Sequence, residues 1–476
     1  MPPALALVLC AVFVLSLLYV EWRGSPRVSG VLWIPTLWIL VATSKPLAIW
    51  LAIPGSNESG SVLDRILLAS LGAAGMVVLT SRGVNWPNAL RGHGWLLALL
   101  AYMFVSTLWS DIPLIALRRW ARDLIVVIMA LFIRSEANPR QAVESLLRRS
   151  AYILIPFSLV LVKYFPALGR EYSTWSGKQM WTGAVTDKNG FGRFCTMSAF
   201  FLLWALYRHW RKRAPAGGRY RAWADLSVLL MALFLSMAAE KDSATAIGTF
   251  ALGVAAFLIL LWLRKLKLRV RQSGLLALVV FLIVFGTLAP FVGGSNLAGF
   301  TGMLGRDETL TGRTELWAAL LPEVDRNPVL GHGYASFWTT DRRVLYGLPS
   351  GHNGYLDILL EMGVVGLAFY CVWLLSCLRQ LHRALAEEYD WASLGICLLL
   401  MAVACNISES ALTTLSEHTT AVLALVSFTV SCARKRRAHT PGSGVQTDEV
   451  VLSTAPDIGP PPGVYQPETF LVQASS

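Results

Sequence analysis

Apolar runs close to the length of a bilayer crossing recur from Ala4 to Cys432, and no other feature of the chain constrains its fold as tightly. A helical span needs about 20 residues, so a dozen spans use about half of the 476-residue chain. Composition agrees: 55% of the side chains are apolar and 15% charged, against about 25% charged in an ordinary soluble domain. A secreted protein, a single-anchor receptor and a nucleic-acid binder are excluded. The net charge of +12 does not rescue the last of these, because in a membrane protein such an excess is topological.

The predicted spans cover about 4–20, 30–51, 63–80, 94–109, 118–133, 150–165, 189–208, 224–239, 243–263, 274–292, 360–378, 391–408 and 415–432. Barrel strands would alternate apolar with polar residues, whereas these runs are apolar all round. The expected fold is therefore all-α, a polytopic transmembrane helical bundle of 12–13 spans. The first run is kept as a span, since no basic segment precedes it and Glu21-Trp22-Arg23 is a poor signal-peptide cleavage site.

Basic residues in short connections set the orientation. Residues 208–223 (Arg208, Arg211, Lys212, Arg213, Arg219, Arg221), 264–271 (Arg264, Lys265, Lys267, Arg269, Arg271) and Arg434 to Arg437 hold fifteen basic residues and no acid. All fall on one side of the span map, which is read as cytoplasmic. The long segment 293–353 then lies outside, with five Arg and six acidic residues for a charge of −1. Chemistry is expected on the periplasmic or exterior face. Two regions result: an integral membrane part over 1–432, and a cytoplasmic tail over 433–476 whose Pro, Gly, Ser and Thr content reads as disordered.

The seven cysteines fall within spans, with no CxxC pair and no nearby His cluster, and read as small buried hydrophobes. No P-loop, Rossmann fingerprint, HExxH or GxSxG occurs, so ATP-driven transport, hydride transfer and zinc or serine hydrolysis lack their usual signatures. His332, His352 and His418 are the histidines on the exterior side of this topology.

In the outer segment, Thr311-Gly312-Arg313 precedes Leu316, Trp317, Leu320, Leu321 and Val324 at helical spacing, ended by Asn327-Pro328. This reads as an amphipathic helix lying on the bilayer or capping the bundle. Arg313 in its first turn faces a helix terminus that is already partly positive. It needs an anion or a local acid, with Asp307, Glu308 and Glu315 as candidates. A second helix begins near Ser350-Gly351-His352-Asn353 and runs to Gly363. At its N-terminus an anion is favoured and imidazolium disfavoured, so a neutral His352 suits a general base. A capping role is the alternative.

Arg118, Arg119 and Arg122 depart from the positive-inside pattern. Arg119 and Asp123 have the i,i+4 spacing of a helical pair. Arg118 and Arg122 place like charges on one face, explained by a bound phosphate group or by snorkelling to headgroups. Lys188, within Thr186-Asp187-Lys188-Asn189-Gly190, precedes a span on the exterior side, where charges are functional candidates. Lys241 lies in Glu240-Lys241-Asp242, where mutual pairing competes with ligand binding. Together these basic residues can surround a diphosphate. Trp175, Trp181, Trp317 and Trp338 can stack on sugar rings, although most of the 18 Trp should be interfacial anchors.

The stretches LWSDIPLIALRRW (108–120), WTGAVTDKNGFG (181–192), LTGRTELW (310–317), NPVLGHGYASF (327–337) and SGHNGYLDILLEMGVVGL (350–367) occur in that order. Together they resemble the O-antigen ligase/polymerase superfamily, most closely its exopolysaccharide-polymerase, ExoQ-like branch. The likeness runs from about Gly30 to Cys432. It implies a GT-C-like membrane glycosyltransferase of the bacterial inner membrane. Such an enzyme moves a glycan from a polyprenyl diphosphate to a sugar hydroxyl on the periplasmic face, with no metal or other cofactor.

By this resemblance His352 and Arg313 are the catalytic pair. Lys188 and Asn189 match the family's basic-Asn pair, and Arg119 or Arg118 its arginine near the preceding span. Taken with the residue reading above, Lys188, Arg118, Arg119, Arg122 and Lys241 are the candidate diphosphate ligands, and Asn189, Asn353, His332 and Trp317 the candidate substrate contacts. The branch has His-Lys-Asn where this chain has Asp187-Lys188-Asn189, so Asp187 is free to hold Lys188 instead. The implied partners are a lipid-linked oligosaccharide, membrane lipid, and either a second lipid-linked repeat unit (polymerase) or lipid A-core (O-antigen ligase) as acceptor. A chain-length regulator is a further candidate partner. A transporter or flippase is the rival from another class; the long outer segment and the lack of clear ionisable residues at mid-span argue against it.

Overall fold

The computed structural model describes residues 1–25, 28–52, 61–172, 177, 179–211, 218–238, 244–292 and 308–438. Among them the chain forms an all-α membrane fold. The helices are α1 (Pro3–Gly24), α2 (Trp33–Thr43), α3 (Leu47–Trp50), α4 (Val62–Ser81), α5 (Trp86–Leu90), α6 (Gly94–Ser106), α7 (Pro113–Arg134), α8 (Pro139–Tyr164) and α9 (Pro166–Gly169). They continue as α10 (Lys188–Arg211), α11 (Gly218–Ala238), α12 (Ala244–Lys265), α13 (Gln272–Leu288), α14 (Glu308–Arg326), α15 (Thr340–Tyr346), α16 (Gly354–Ala384), α17 (Tyr389–Cys405) and α18 (His418–Ala438). One antiparallel ribbon, β1 (Arg170–Tyr172) with β2 (Gln179–Trp181), interrupts the helices, with Arg170 opposite Trp181.

Among the described residues eight helices are long and apolar enough to cross a membrane: α1, α4, α8, α10, α11, α12, α13 and α16. Four shorter apolar helices, α2, α6, α17 and α18, accompany them. The predicted span at 118–133 corresponds to α7, whose first half carries Arg118, Arg119, Arg122 and Asp123. The centre of the bundle is α8 and α10, each 78% buried along its most apolar window, against 17% for α1. Hence Val8, Val12 and Leu15 of α1 stay exposed, as lipid contacts should be, while Tyr152, Phe200 and Trp204 fill the interior.

Three expectations change. The span at 30–51 ends at Thr43: Ser44 is extended, and Lys45 precedes Pro46, whose ring disfavours helical backbone at the residue before it. The tail does not begin at 433, because α18 continues to Ala438; residues 439–476 lie outside the described ones. The helices also hold ionisable side chains. Arg149 pairs with Glu21 at 2.9 Å, and Arg148 with Asp225 at 3.0 Å, where Tyr152 also donates at 2.6 Å. Each charge is paired, as membrane burial requires.

These pairs belong to one end of the bundle, with Arg208–Glu144 and the Arg211 and Arg264 contacts to Asp390 at 2.9 and 2.7 Å. At the other end, α14 caps the helices. Leu316, Trp317, Leu320 and Val324 pack with Phe337, Trp338, Leu356, Leu359 and Leu360 into a separate apolar cluster, so the amphipathic helix closes the bundle. It starts at Glu308, which puts Arg313 beyond the first turn.

The turn at 328–333 is let into a break in α16. Gly363 has φ +63° and interrupts the helix. Around the break, Val364 N donates to Pro328 O at 3.0 Å, and His332 N to Leu360 O at 2.9 Å. Tyr102 Oη donates to the freed Met362 O at 2.9 Å. A Cβ on Gly363 would lie 2.2 Å from Val329 O, so both the left-handed backbone and the close approach require glycine here.

Candidate functional site

Four carboxylates build the capped end. Asp357, in the first turn of α16, accepts from Gly351 N at 2.9 Å and from Trp338 Nε1 at 2.9 Å, and Ser410 Oγ donates to its other oxygen. Asn353 caps α16, its Oδ1 accepting from Tyr355 N and Leu356 N at 3.0 Å each, while its Nδ2 donates to Gly286 O at 2.9 Å. Gly354 N donates to Asn406 O at 2.9 Å. These bonds fix His352 between Gly351 and Asn353 with φ +49°. Such a backbone is uncommon for a non-glycine residue and persists only where its surroundings determine it.

From the connection between α17 and α18 comes Glu409, whose side chain is 6% exposed. Arg313 Nη2 donates to its Oε1 at 2.8 Å. His352 Nδ1 lies 3.5 Å from its Oε2, longer than a formed hydrogen bond, and Arg193 Nη1 lies 4.0 Å away. Burial pushes the Glu409 carboxyl up, but the adjacent His352 and the Arg313 and Arg193 guanidiniums outweigh it and hold the group below its usual range. Arg193 is anchored in turn on Glu417 at 2.7 Å. His352, Arg313 and Arg193, from three distant stretches of chain, thus meet at one buried carboxylate.

The other carboxylates hold the frame. Asp123 accepts from Tyr334 Oη at 2.5 Å, Leu415 N at 2.7 Å and Ser416 N at 3.0 Å. Glu361 accepts from Ala335 N at 3.1 Å. Asp123 thus ties the 334 turn to the segment that leads into α18. Arg119 donates to Ala335 O.

The predicted cations divide. Lys188, at the start of α10, is half-buried and, among the described residues, no carboxylate pairs with it. Asp187 does not hold it; its Oδ1 accepts from Gly190 N at 2.8 Å as a helix cap. Arg118 and Arg122 are exposed, on the outer side of α7 with Leu114 and Leu117. Arg313 finds its acid in Glu409, a residue outside the candidates at 307, 308 and 315. Lys241 and Trp175 lie outside the described residues.

Four substrate-contact expectations change or narrow. Trp317 is 3% exposed, packed in the apolar cap with Nε1 donating to Gly351 O at 2.8 Å, so no ring face is open to a sugar; Trp338 is likewise buried on Asp357. Asn353 is fully buried with its amide committed to the cap. His332 is buried against Phe337, 3.9 Å from Asp111 and 4.0 Å from Glu323. Asn189 is buried in the first turn of α10. His418 is also buried, its Nδ1 3.0 Å from Thr43 Oγ1.

Sequence reading missed Glu409, Arg193 and Glu417. A signal was present for each: Arg193 is a charge inside an apolar run, and Glu409 and Glu417 are the two acids of a short polar connection on the same side as His352. A cavity of about 700 Å³ lined by Ser29, Arg82, Ser135 and Glu136 contains none of these residues.

Residues 226–371 match the family model described as O-antigen ligase, a stretch that contains Arg313 and His352. The chain is also 26% identical over 308 residues to the exopolysaccharide production protein ExoQ of Rhizobium meliloti (strain 1021), covering 62% of this chain and 67% of that protein. The structure defines a multi-pass membrane protein, and over these stretches it is similar to proteins of the O-antigen ligase/polymerase kind. Within that superfamily the resemblance is to the ExoQ-like branch.

Proposed function

We propose that this protein is a membrane glycosyltransferase that moves a glycan from a polyprenyl diphosphate to a sugar hydroxyl, working as a polymerase of polysaccharide repeat units. The observation that carries the reading is the convergence of His352 and Arg313, 39 positions apart, on Glu409. His352 takes the proton of the attacking hydroxyl, and Glu409 orients the ring and stabilises the imidazolium that forms. The anomeric C–O bond to phosphate breaks as the new glycosidic C–O bond forms, with inversion. The diphosphate leaves with the electron pair of the broken bond.

That leaving group needs no proton if cations receive it. Arg313 lies beside the base, and Lys188, Arg118 and Arg122 are cations of this end without a carboxylate partner among the described residues. Arg118 and Arg122 emerge among exposed apolar side chains, where a headgroup carried in the bilayer would arrive. Arg and Lys would thereby supply the charge stabilisation that a divalent metal gives elsewhere. Arg208, Arg211 and Arg264, which border basic stretches of the sequence, lie at the opposite end, which the positive-inside rule assigns to the cytoplasm. That supports an inner-membrane protein with its site on the periplasmic face and its C-terminus inside.

A second reading differs only in acceptor. The matched family's description favours transfer to lipid A-core, whereas the relative named for exopolysaccharide production favours a second repeat unit. Reconstitution into liposomes with a lipid-linked repeat unit tests the proposal. Wild type should form glycosidic product and His352→Ala at least about 100-fold less. Undiminished transfer by His352→Ala refutes the general-base role. Product formed only when lipid A-core is added replaces the polymerase by the ligase.

A further inference from the structure

The short link between α2 and α3 is built around a buried lysine that the chemistry above does not use. Lys45 is 8% exposed, and among the described residues no carboxylate takes its ammonium. Its Nζ donates to Thr182 Oγ1 at 3.0 Å, Gly183 O at 3.0 Å and Val185 O at 2.5 Å. The Lys45 backbone N donates to Ala184 O at 2.8 Å. One residue thus binds four consecutive ones, 182–185. From the opposite side, Ala184 N donates to Ser158 Oγ at 3.0 Å. Gly183, at φ +52°, leaves a would-be Cβ only 2.7 Å from Ser158 and Phe191.

This turn leads directly into α10. Among the described residues Lys188 has no carboxylate partner there, and Arg193 reaches on to Glu417 and Glu409. Two residues before Lys45, Thr43 Oγ1 contacts His418 Nδ1 at 3.0 Å, next to Glu417 in sequence. The link therefore braces both halves of the Arg193–Glu417 pair.

We infer that Lys45 is a positioning residue: by fixing residues 182–185 it sets the start of α10, aiming Lys188 at a lipid-borne diphosphate and Arg193 at Glu409. This rests on the function proposed above. The brace uses all three N–H donors of the ammonium, and a neutral amine keeps only two. Burial pulls the pKa of the Lys45 ammonium down to about 8, opposed by the negative charges of Glu171 and Asp187. Losing the proton should loosen the turn, whereas arginine at this position stays charged.

The test is binding of farnesyl diphosphate to the full-length protein in lipid nanodiscs from pH 7.5 to 9.5, with thermal unfolding as the check on folding. Wild type should weaken by about tenfold or more across that range, as loss of a charged hydrogen-bond donor implies. Lys45→Arg should bind with little pH dependence, and Lys45→Met should bind about tenfold more weakly at pH 7.5. Equal binding by wild type and Lys45→Met overturns the inference. Should Lys45→Met not fold, a Lys45→Arg profile that declines with pH as wild type does overturns it alone. No binding by wild type at any pH overturns the diphosphate reading itself, and this inference with it.

Discussion

Replacing Glu409 by glutamine separates the electrostatic role of this carboxylate from its shape. The amide keeps the size of the side chain and can still accept from Arg313, but no negative charge remains beside His352 at 3.5 Å, Arg313 at 2.8 Å and Arg193 at 4.0 Å. Breaking a buried pair costs about 3–5 kcal/mol. Here Arg193 keeps Glu417 at 2.7 Å and Arg313 is 21% exposed, so about 1–3 kcal/mol is expected. That is a fall of a few degrees in unfolding temperature. The larger effect falls on rate. Acid–base catalysis contributes about 10²–10⁴-fold, and a contact of 3.5 Å places Glu409's share near 10². The assay is glycan transfer in proteoliposomes by Glu409→Gln, His352→Ala and the double variant. If Glu409 acts through His352, the double variant should be no slower than His352→Ala. Glu409→Gln transferring within about threefold of wild type, or a double variant slower by the full product of the two effects, refutes the reasoning.

Other outcomes rest on the same geometry. Because the folded-state pKa of Glu409 is depressed, its stabilisation is complete above the ordinary glutamate value of 4.5 and is lost as pH falls through the lower folded value. The difference in unfolding temperature between wild type and Glu409→Gln should be constant near neutrality and shrink only below pH 4.5. Gly363→Ala must adopt φ +63° and place a methyl 2.2 Å from Val329 O, costing about 2–5 kcal/mol, whereas Gly248→Ala, with nothing within 4 Å, should not destabilise; thermal unfolding compares them. The double variant Arg118→Ala with Arg122→Ala should raise the KM for lipid-linked donor about tenfold with kcat nearly kept. Transfer should be unchanged by EDTA, and loss of activity restored by a divalent ion would contradict the assignment of charge stabilisation to Arg and Lys.

The bundle was legible because a span must satisfy its own backbone bonds, so a long apolar run has few alternatives. Runs such as 63–80 and 274–292 met helices α4 and α13 closely. Gly363 was legible as a helix end for a local reason, its backbone freedom. The site was only half legible. His352 and Arg313 stand out because each is a polar residue at a helix terminus or in an amphipathic segment. Their shared partner Glu409 is 57 residues beyond His352, and no local periodicity links the two. The i,i+4 spacing of Asp123 gave no hint that this fully buried carboxylate also takes the backbone N–H groups of Leu415 and Ser416, which are distant in sequence and would otherwise lack partners. The polar groups of Trp317 and Asn353 serve the loop that holds His352, and sequence alone does not tell a side chain that shapes a site from one that touches substrate.

The central claim is glycan transfer from a lipid diphosphate, and mass spectrometry of lipid-linked and released glycans tests it most directly. The strains to compare are a deletion of this gene and the same strain complemented with wild type or His352→Ala. Accumulation of single lipid-linked repeat units in the deletion and His352→Ala strains, with polymer restored by wild type, is the predicted result. Unaltered glycans in the deletion strain, with no redundant homologue present, would contradict it.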